Sequence, residues 1–405
     1  MSKWKKTPFA EILIDSKDGE WGEGEAAVGL REAIIIRGTD FADLDNPGAE
    51  FPKRWIKDHI AVRKHLQPGD LILETAGGTS SQSTGRSALL KDSFFQQHPD
   101  IPVLCASFSR HLRLDANKYS SQFIYYLLQM LYRCGYMSVF NTQHTGVSRF
   151  QYTSFKNHTD LQVPDLPTQK KIAAILTAYD DLIENNKRRI TLLEKLAEEI
   201  YREWFVRFRF PGHEKVKVVK GLPEKWQIRK LGDVLELCYG KALKEELRIP
   251  GEYLVYGSSG VVGTHNEALV KSPGLIVGRK GNVGSVYFSD YGFYPIDTVY
   301  YVKSALPNSF LYFLLRSMNF INNDSAVPGL NRGQAYSIQF FLPPDPLTRE
   351  FAMVVAQPLE MKRILTLQND KLTATRDLLL PRLISGKLSV EDLDIQFPPG
   401  MAEEA

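Results

Sequence analysis

The chain has 405 residues, 43% of them hydrophobic, with 50 Lys/Arg against 47 Asp/Glu and a formal net charge of +3. That length predicts two or three domains with real apolar cores, and a charge this small does not by itself announce nucleic acid. No apolar run reaches membrane-spanning length, the start MSKWKKTPFAEI has no signal-peptide core, and the three cysteines, Cys105, Cys134 and Cys238, form no C-x-x-C pair, so a soluble cytoplasmic protein without disulfides, zinc or membrane contact is expected.

In chain order, residues 11–14 read as a short strand and 18–24 as an acidic, glycine-rich loop. Strands are expected at 33–36 and at Leu71–Glu74, the latter opened by Pro68-Gly69-Asp70. Residues 76–87 are rich in glycine and hydroxyls and close on Arg86-Ser87. They are not a phosphate-cradling P-loop, because the residue five before Gly85 is Ser80 and not glycine. A helix is expected over about 120–132, then a loop and strand over 141–152 carrying Gln143, His144, Arg149 and Gln151.

Residues 166–205 predict one long helix with Thr168 as N-cap. Ile172, Leu176, Tyr179, Ile183, Ile190, Leu193, Leu196 and Ile200 recur at three- and four-residue spacing, the seam of a helix that needs a partner helix. Asn186 interrupts the seam, where one polar residue commonly fixes register. Seven Lys/Arg balance seven Asp/Glu along this stretch, a face suited to solvent and neighbouring helices. At 1.5 Å per residue the part from Ile172 to Trp204 is about 50 Å long.

Beyond it, strands are expected at 253–256, 274–277, 283–288 and 298–302. Arg279, Lys280 and Asn282 read as side chains displayed on a tight turn among Gly278, Gly281 and Gly284. A helix is expected near 310–317, and a loop at 329–334 offers Asn331, Arg332 and Gln334. A second helical region over 349–388, divided by Pro358, carries Leu365, Leu372, Leu379 and Leu383. It supplies the partner for the first seam, and the chain direction makes the pairing antiparallel. Residues 398–405 read as a frayed acidic tail.

The chain repeats itself. Trp4 with Phe9-Ala-Glu-Ile12 recurs as Trp226 with Leu231-Gly-Asp-Val234, Phe123-Ile-Tyr-Tyr-Leu-Leu128 as Phe310-Leu-Tyr-Phe-Leu-Leu315, and Gly146-Val-Ser-Arg149 as Gly329-Leu-Asn-Arg332. The offset falls from 222 to 187 and then 183, so the first half carries roughly 35 to 40 extra residues, read as a loop insertion. The last offset makes Arg149 and Arg332 equivalent. Charge follows the halves: residues 51–166 carry thirteen Lys/Arg against eight Asp/Glu, and 207–345 seventeen against twelve, whereas 1–50 and 346–405 are net acidic. Two basic bodies joined by neutral helices fit a polyanion touched at two places.

Leu222-Pro-Glu-Lys-Trp226, Leu231-Gly-Asp-Val234, Tyr256-Gly-Ser-Ser-Gly260, Gly278-Arg-Lys-Gly-Asn-Val-Gly-Ser285 and Asp297-Thr-Val-Tyr-Tyr301 are moderately specific strings of the second half. With Leu166-Pro-Thr-Gln-Lys-Lys-Ile172, Trp204-Phe205 and Leu380-Pro-Arg-Leu-Ile-Ser-Gly-Lys-Leu388, in this order and duplicated, the chain resembles the specificity subunits of Type I restriction-modification systems over essentially its whole length. The first half departs from the pattern, keeping Gly69-Asp-Leu-Ile72 and Gly85-Arg86.

The resemblance implies an α+β fold with two β-rich target-recognition domains in pseudo-repeat, separated by two long antiparallel coiled-coil helices. The expected division is 1–165, 166–206, 207–345, 346–390 and a tail 391–405. It further implies a non-catalytic subunit without cofactor that reads a split, asymmetric double-stranded DNA target. Two methyltransferase subunits would dock on the helices, and restriction subunits could add to that core. Arg, Lys, Asn and Gln make the bidentate contacts to guanine and adenine edges. The expected DNA contacts are therefore Arg86, Gln143, Arg149 and Gln151 in the first domain and Arg279, Lys280, Asn282, Asn331, Arg332 and Gln334 in the second.

Two other readings compete. Pro344-Asp345 followed by Glu360-Met361-Lys362 fits a metal-dependent nuclease pattern on paper, while Pro343-Pro344 lacks the flanking residues of an adenine methyltransferase motif. A coiled-coil scaffold without sequence readout would leave two elaborate, non-identical domains unexplained.

Overall fold

The computed structural model describes residues 4–46, 48–78, 82–144, 147–320 and 329–398. The chain forms two compact units: unit 1 comprises 1–186 with 367–405, and unit 2 comprises 187–366. The division falls inside the two long helices, so each unit takes part of both.

In unit 1, β1 (Lys5–Pro8), α1 (Phe9–Ile12) and β2 (Leu13–Asp18) are followed by β3 (Leu30–Ile36), β4 (Lys53–Lys57), α2 (Asp58–Lys64), β5 (Leu71–Glu74), β6 (Ala76–Gly78) and β7 (Ser87–Leu89). Then come α3 (Asp92–Gln97), β8 (Val103–Cys105), β9 (Ser109–Leu114), α4 (Ser121–Arg133), β10 (Asn141–His144), β11 (Val147–Phe150), α5 (Tyr152–His158), β12 (Asp160–Val163) and α6 (Leu166–Tyr201). Four strands form an antiparallel sheet in the order β2-β9-β5-β7, and β4-β3-β8 form a second in which β3 and β8 run parallel. β1 pairs with β12, and β10-β11-β6 make a small third sheet.

Unit 2 holds a short ribbon of β13 (Val218–Val219) and β14 (Leu222–Pro223), then β15 (Gln227–Lys230), β16 (Leu235–Tyr239), β17 (Tyr253–Gly257), β18 (Gly260–His265) and β19 (Gly274–Gly278). It continues with β20 (Val286–Ser289), β21 (Phe293–Pro295), β22 (Val299–Ser304), α7 (Asn308–Ser317), α8 (Arg332–Ser337), β23 (Gln339–Leu342) and α9 (Asp345–Ile384). The order β16-β22-β19-β20 repeats β2-β9-β5-β7, β18-β17-β21 repeats β4-β3-β8 with the same parallel pair, and β15-β23 repeats β1-β12. These three sheets are duplicated strand for strand, whereas β10-β11-β6 belongs to unit 1 alone and β13-β14 to unit 2 alone among the described residues. The extra residues of unit 1 are spread over the segment leading to α2, over α3 and over the β10-β11 hairpin, and are not one loop.

Aromatic and aliphatic side chains close each unit against its helix segments. In unit 1, Phe9, Phe123, Phe155 and Leu112 pack with Ile172 and Leu176 of α6 and with Leu380 and Leu383 of α9. In unit 2, Phe310, Phe313 and Leu231 pack with Tyr201, Trp204 and Phe205 and with Phe351 and Val355 of α9. Burying a side chain of this size stabilises by about 1.5–3 kcal/mol each. The helices run antiparallel. Asp180 pairs with Arg376 and Asn186 with Asn369 in unit 1, and Glu194 with Lys362 in unit 2.

Of the expected seam, Ile172, Leu176, Ile183 and Leu365 are buried, while Tyr179, Ile190, Leu193, Leu372 and Leu379 are half-buried. Leu196 is 53% exposed and Ala197 faces the core in its place, because the inward face drifts along a straight helix. Asn186 does sit inside the seam, donating to Asn369 Oδ1 at 3.0 Å.

Several expectations are corrected. Residues 9–12 are a helical turn, and the strand begins at Leu13. The N-cap of α6 is Asp165, whose Oδ1 accepts from the Thr168 N–H at 3.0 Å. Pro358 divides nothing: α9 is continuous over Asp345–Ile384, since only one backbone donor is lost and Phe351, Val355 and Leu365 are buried on either side. β20 begins at Val286, three residues later than expected, because 279–285 are needed for the turn. In the proposed tail, Ile395 and Phe397 pack on the unit 1 core, while 399–405 lie outside the described residues.

Candidate nucleic-acid interface

In both units the loop after the second central strand folds back by the same backbone bonds. The N–H groups of Arg279 and Lys280 donate to the Thr298 carbonyl at 2.9 and 3.1 Å, and those of Thr75 and Ala76 to the Phe108 carbonyl at 2.8 and 3.1 Å. Gly278 N–H reaches Ser285 O at 2.7 Å as Glu74 N–H reaches Arg86 O at 2.8 Å. Gly284 and Gly85, at φ +77° and +97°, close the two loops. Gly278 therefore corresponds to Glu74, and Ser285 to Arg86.

Side chains part company where the backbones agree. A Cβ on Gly278 would stand 2.1 Å from the Asn282 carbonyl oxygen, so the tight turn of unit 2 requires glycine. Unit 1 has a carboxylate there and a longer loop. Arg86 Nε and Nη2 donate to Glu74 Oε2 and Oε1 at 2.9 and 2.6 Å, a bidentate pair across the mouth of that loop. The Glu74 side chain is only 4% exposed, and its bonds to Arg86 hold the guanidinium pKa above its ordinary value.

The loop of unit 2 stands beside the end of β16 and the start of α8. Tyr239 is 51% exposed, its centroid 5.0 Å from that of Tyr300. The Arg279 guanidinium lies 5.3 Å from the Tyr239 centroid and the Arg332 guanidinium 5.1 Å. Arg279 is half-buried, with Nε and Nη2 donating to the Asp297 carbonyl at 3.1 and 2.8 Å. Burial and then the neighbouring Tyr239 push the Tyr300 hydroxyl up to about 12. Lys280 and Asn282 are exposed, and Lys280 bridges to Gly329. The segment at 329–334 is not the loop expected: Asn331 caps α8, its Oδ1 accepting from the N–H groups of Gly333 and Gln334 at 2.8 and 3.3 Å, and Arg332 and Gln334 are exposed in its first turn. The turn thus brings Arg279 and Arg332 together around Tyr239, with Lys280 exposed on the turn itself and the basic residues Lys241 and Lys244 on the connection that follows β16.

In unit 1 the equivalent strand end is Asp18, which pairs with Arg110 as Tyr239 pairs with Tyr300. Arg110 forms an ion pair with Asp18, donates to Ser16 Oγ at 3.3 Å and lies 4.3 Å from the Tyr152 centroid. The small β10-β11-β6 sheet displays Arg149, exposed on β11, with Gln151 Nε2 donating to Thr142 Oγ1 at 2.9 Å. Gln143 lies on β10, and its side chain is outside the described residues. Arg86 is committed to Glu74.

Arg149 and Arg332 are not equivalent. The short helices α5 and α8 correspond, so Gln151 matches Asn331 and Tyr152 matches Arg332. The string match was three residues out, a little less than one helical turn, which the helices tolerate and the strands do not. Tyr239, Arg110 and Tyr152 escaped the sequence reading. The alternation of buried Leu235 and Leu237 toward Tyr239 was the available signal for the first.

Residues 63–195 and 223–351 each match the family described as Type I restriction modification DNA specificity domain. The chain belongs to this family. Type I restriction-modification specificity subunits are the DNA-recognition components of their systems, and two copies of the domain account for the duplicated topology. The MjaIX specificity subunit of Methanocaldococcus jannaschii is 28% identical over 311 residues, covering 67% of this chain and 70% of its own. The HindI specificity subunit of Haemophilus influenzae is 23% identical over 367 residues, covering 68% and 79%. In fold, the chain is similar to the S subunit of M. genitalium, with a TM-score of 0.59 at 18% identity over 94% of this chain and 96% of that one.

Among the described residues no group of three or more His, Cys, Asp or Glu could hold a metal ion, and no helix is long and apolar enough to cross a membrane. The nuclease pattern is dispersed along one helix. Asp345 and Glu360 both lie in α9, about 22 Å apart by helical rise, with Asp345 on Arg349, Glu360 on Arg363 and Lys362 on Glu194.

Proposed function

We propose that this specificity subunit recognises a bipartite, asymmetric double-stranded DNA target, each unit reading one half. The observation that carries the reading is one backbone topology, present twice, with different side chains at equivalent loops. A duplicated scaffold with divergent loops serves two different half-sites through one docking geometry. Lys280, Lys241 and Lys244 supply phosphate contacts in unit 2, while Arg279, Asn282, Asn331, Arg332 and Gln334 there, and Gln143, Arg149 and Gln151 in unit 1, supply the polar edges. Arg86 contributes as a strut for its loop.

Methyltransferase subunits, and restriction subunits where the system has them, would dock on α6 and α9. Both helices leave large apolar side chains exposed, among them Leu182, Leu192, Leu196, Met353 and Leu378. Leu192→Asp with Leu196→Asp is expected to reduce association with the cognate methyltransferase in sedimentation analysis.

Methylome sequencing of a host carrying the system tests the reading. Replacing residues 207–345 by the matching segment of a relative with another target should change one half-site and leave the other. A change in both, or in neither, contradicts the assignment. Lengthening α6 by one turn within 187–193 should alter the tolerated spacing and keep both half-sites. Methyl transfer or cleavage by the purified chain without partners would favour an enzyme in its own right.

A further inference from the structure

We propose that Arg332 reads a guanine in the half-site of unit 2, and that Tyr239 is the residue that positions its guanidinium. The inference rests on unit 2 reading one half of the target and goes further by assigning the base and the side chain.

The main chain at Arg332 is held from both sides. Leu330 N–H donates to the Arg279 carbonyl at 2.7 Å, the Tyr300 hydroxyl donates to the Leu330 carbonyl at 3.2 Å, and the Asn331 carboxamide caps the helix that Arg332 opens. Below the side chain lie two rings, Tyr239 at 5.1 Å and Tyr336 at 6.0 Å from the guanidinium carbon. Both rings are themselves fixed. Tyr336 Oη accepts from the Leu237 N–H at 2.8 Å, and Tyr239 is paired in register with Tyr300.

A guanidinium resting on ring faces is gripped through its plane, which leaves its edge N–H groups for a ligand. Two parallel donors on one edge match the O6 and N7 acceptors of guanine in the major groove. Beside Arg332, Arg279 has Nε and Nη2 engaged on the Asp297 carbonyl, and in unit 1 Arg86 and Arg110 are held by Glu74 and Asp18. Among the described residues no carboxylate pairs with Arg332, and the side chain is exposed. A phosphate contact needs no held plane and is supplied by Lys280 beside it. Unit 1 has Tyr152 at the equivalent position and Asp18 in place of Tyr239, so the same reading does not extend to its half-site.

The test uses the complex of this subunit with its cognate methyltransferase and duplexes carrying the target found by methylome sequencing. Each guanine of the half-site that follows unit 2 in the segment exchange is replaced in turn by 7-deazaguanine, which lacks the N7 acceptor. One position should weaken wild-type binding by about 10- to 100-fold. Arg332→Ala should lose the same factor on the natural duplex and gain no further loss from 7-deazaguanine there. Arg332→Lys keeps the charge and should still lose the discrimination, and Tyr239→Leu should reduce it several-fold with the melting temperature of the complex unchanged.

A unit 2 half-site without guanine on either strand overturns the proposal. So does a uniform loss for Arg332→Ala on cognate and scrambled duplexes, which marks a phosphate contact, or no loss at all. In those cases unit 2 still reads its half-site by the exchange. If no half-site follows unit 2, the broader reading fails instead.

Discussion

The two units fold one loop by the same backbone bonds and then treat charge in opposite ways. In unit 1, Arg86 and Arg110 are each held by a carboxylate, Glu74 and Asp18. In unit 2 the equivalent positions are Ser285 with Gly278 and Tyr300 with Tyr239, and the arginines nearby, Arg279 and Arg332, lie on Tyr239 instead of an acid. The connection after the first sheet strand also differs in charge: Glu20, Glu23 and Glu25 make it acidic in unit 1, whereas in unit 2 Lys241, Lys244 and Arg248 offset Glu245, Glu246 and Glu252. Duplication preserves the hydrogen-bonded frame, because each backbone donor must be satisfied wherever the loop is buried. Nothing forces the side chains to agree. Unit 1 commits Arg86 and Arg110 to carboxylates, whereas unit 2 leaves Arg332 for a ligand.

The sharpest break of that contrast is Arg86→Ala. It strands Glu74 in a nearly closed site, and an unpaired buried charge costs about 3–5 kcal/mol. Urea unfolding should report a loss of that size, while Glu74→Leu combined with Arg86→Met should recover most of it. Ser285→Ala in unit 2 should cost about 1 kcal/mol, since it removes the hydroxyl whose one proton is shared between Ser258 O and Asn282 O, each at 2.9 Å. Equal losses at the two positions would dissolve the distinction between strut and displayed cation.

A smaller effect is expected at the helix pair. Asn186→Ala leaves Asn369 without its partner and should cost about 1–3 kcal/mol in the same measurement. Replacing both by Leu should keep or raise stability and loosen register, seen as mixed association states in light scattering. A single, unchanged species would show that the polar pair is dispensable for register.

Acid should affect both units alike. Burial pushes Asp70 upward, but the Arg113 pair, His111 and the Gln67 N–H outweigh it and hold the carboxyl below its usual range. Glu194 is likewise raised by burial and brought lower by Lys362, Tyr312 and Arg316. A depressed folded pKa contributes stability above the unfolded value, roughly 4, and that contribution disappears as pH falls through the folded value. Unfolding free energy should decline below about pH 5. Asp70→Asn and Glu194→Gln should each flatten the decline, and a slope untouched by both would contradict the assigned partners.

The smallest effect sharpens the contrast in charge. Lys241→Ala and Lys244→Ala should each make the dependence of log affinity on log salt shallower by about one contact. Glu20→Ala should raise DNA affinity slightly without changing which half-site is read. A steeper salt dependence in the lysine variants would place these residues away from the phosphates.

Much of the architecture was legible in local pattern. Leu71–Glu74 stands out as an apolar run between turn residues, α4 by Ser120, whose Oγ accepts from the Phe123 N–H at 3.3 Å, and α6 by its three- and four-residue recurrence. Pro358 misled because a proline's lost donor is a local fact, while the helix is held by side chains before and after it. The pairing of Arg149 with Arg332 misled because a short string carries no register. Three residues shift a helix by a little less than a turn and nearly keep its face, whereas strand pairing and a capped helix start identify position without ambiguity.

Periodicity and repetition, both readable residue by residue, determined that this protein has two long helices and two similar halves, and the ordered strings carried its resemblance to the Type I specificity subunits. Tertiary structure decided which of its arginines remain available. Asp18 and Arg110, Glu74 and Arg86, and Tyr239 and Arg332 meet only when strands from separate parts of the chain are laid side by side. Whether a cation is neutralised or presented depends on the partner that folding brings to it, and spacing along the chain does not name that partner.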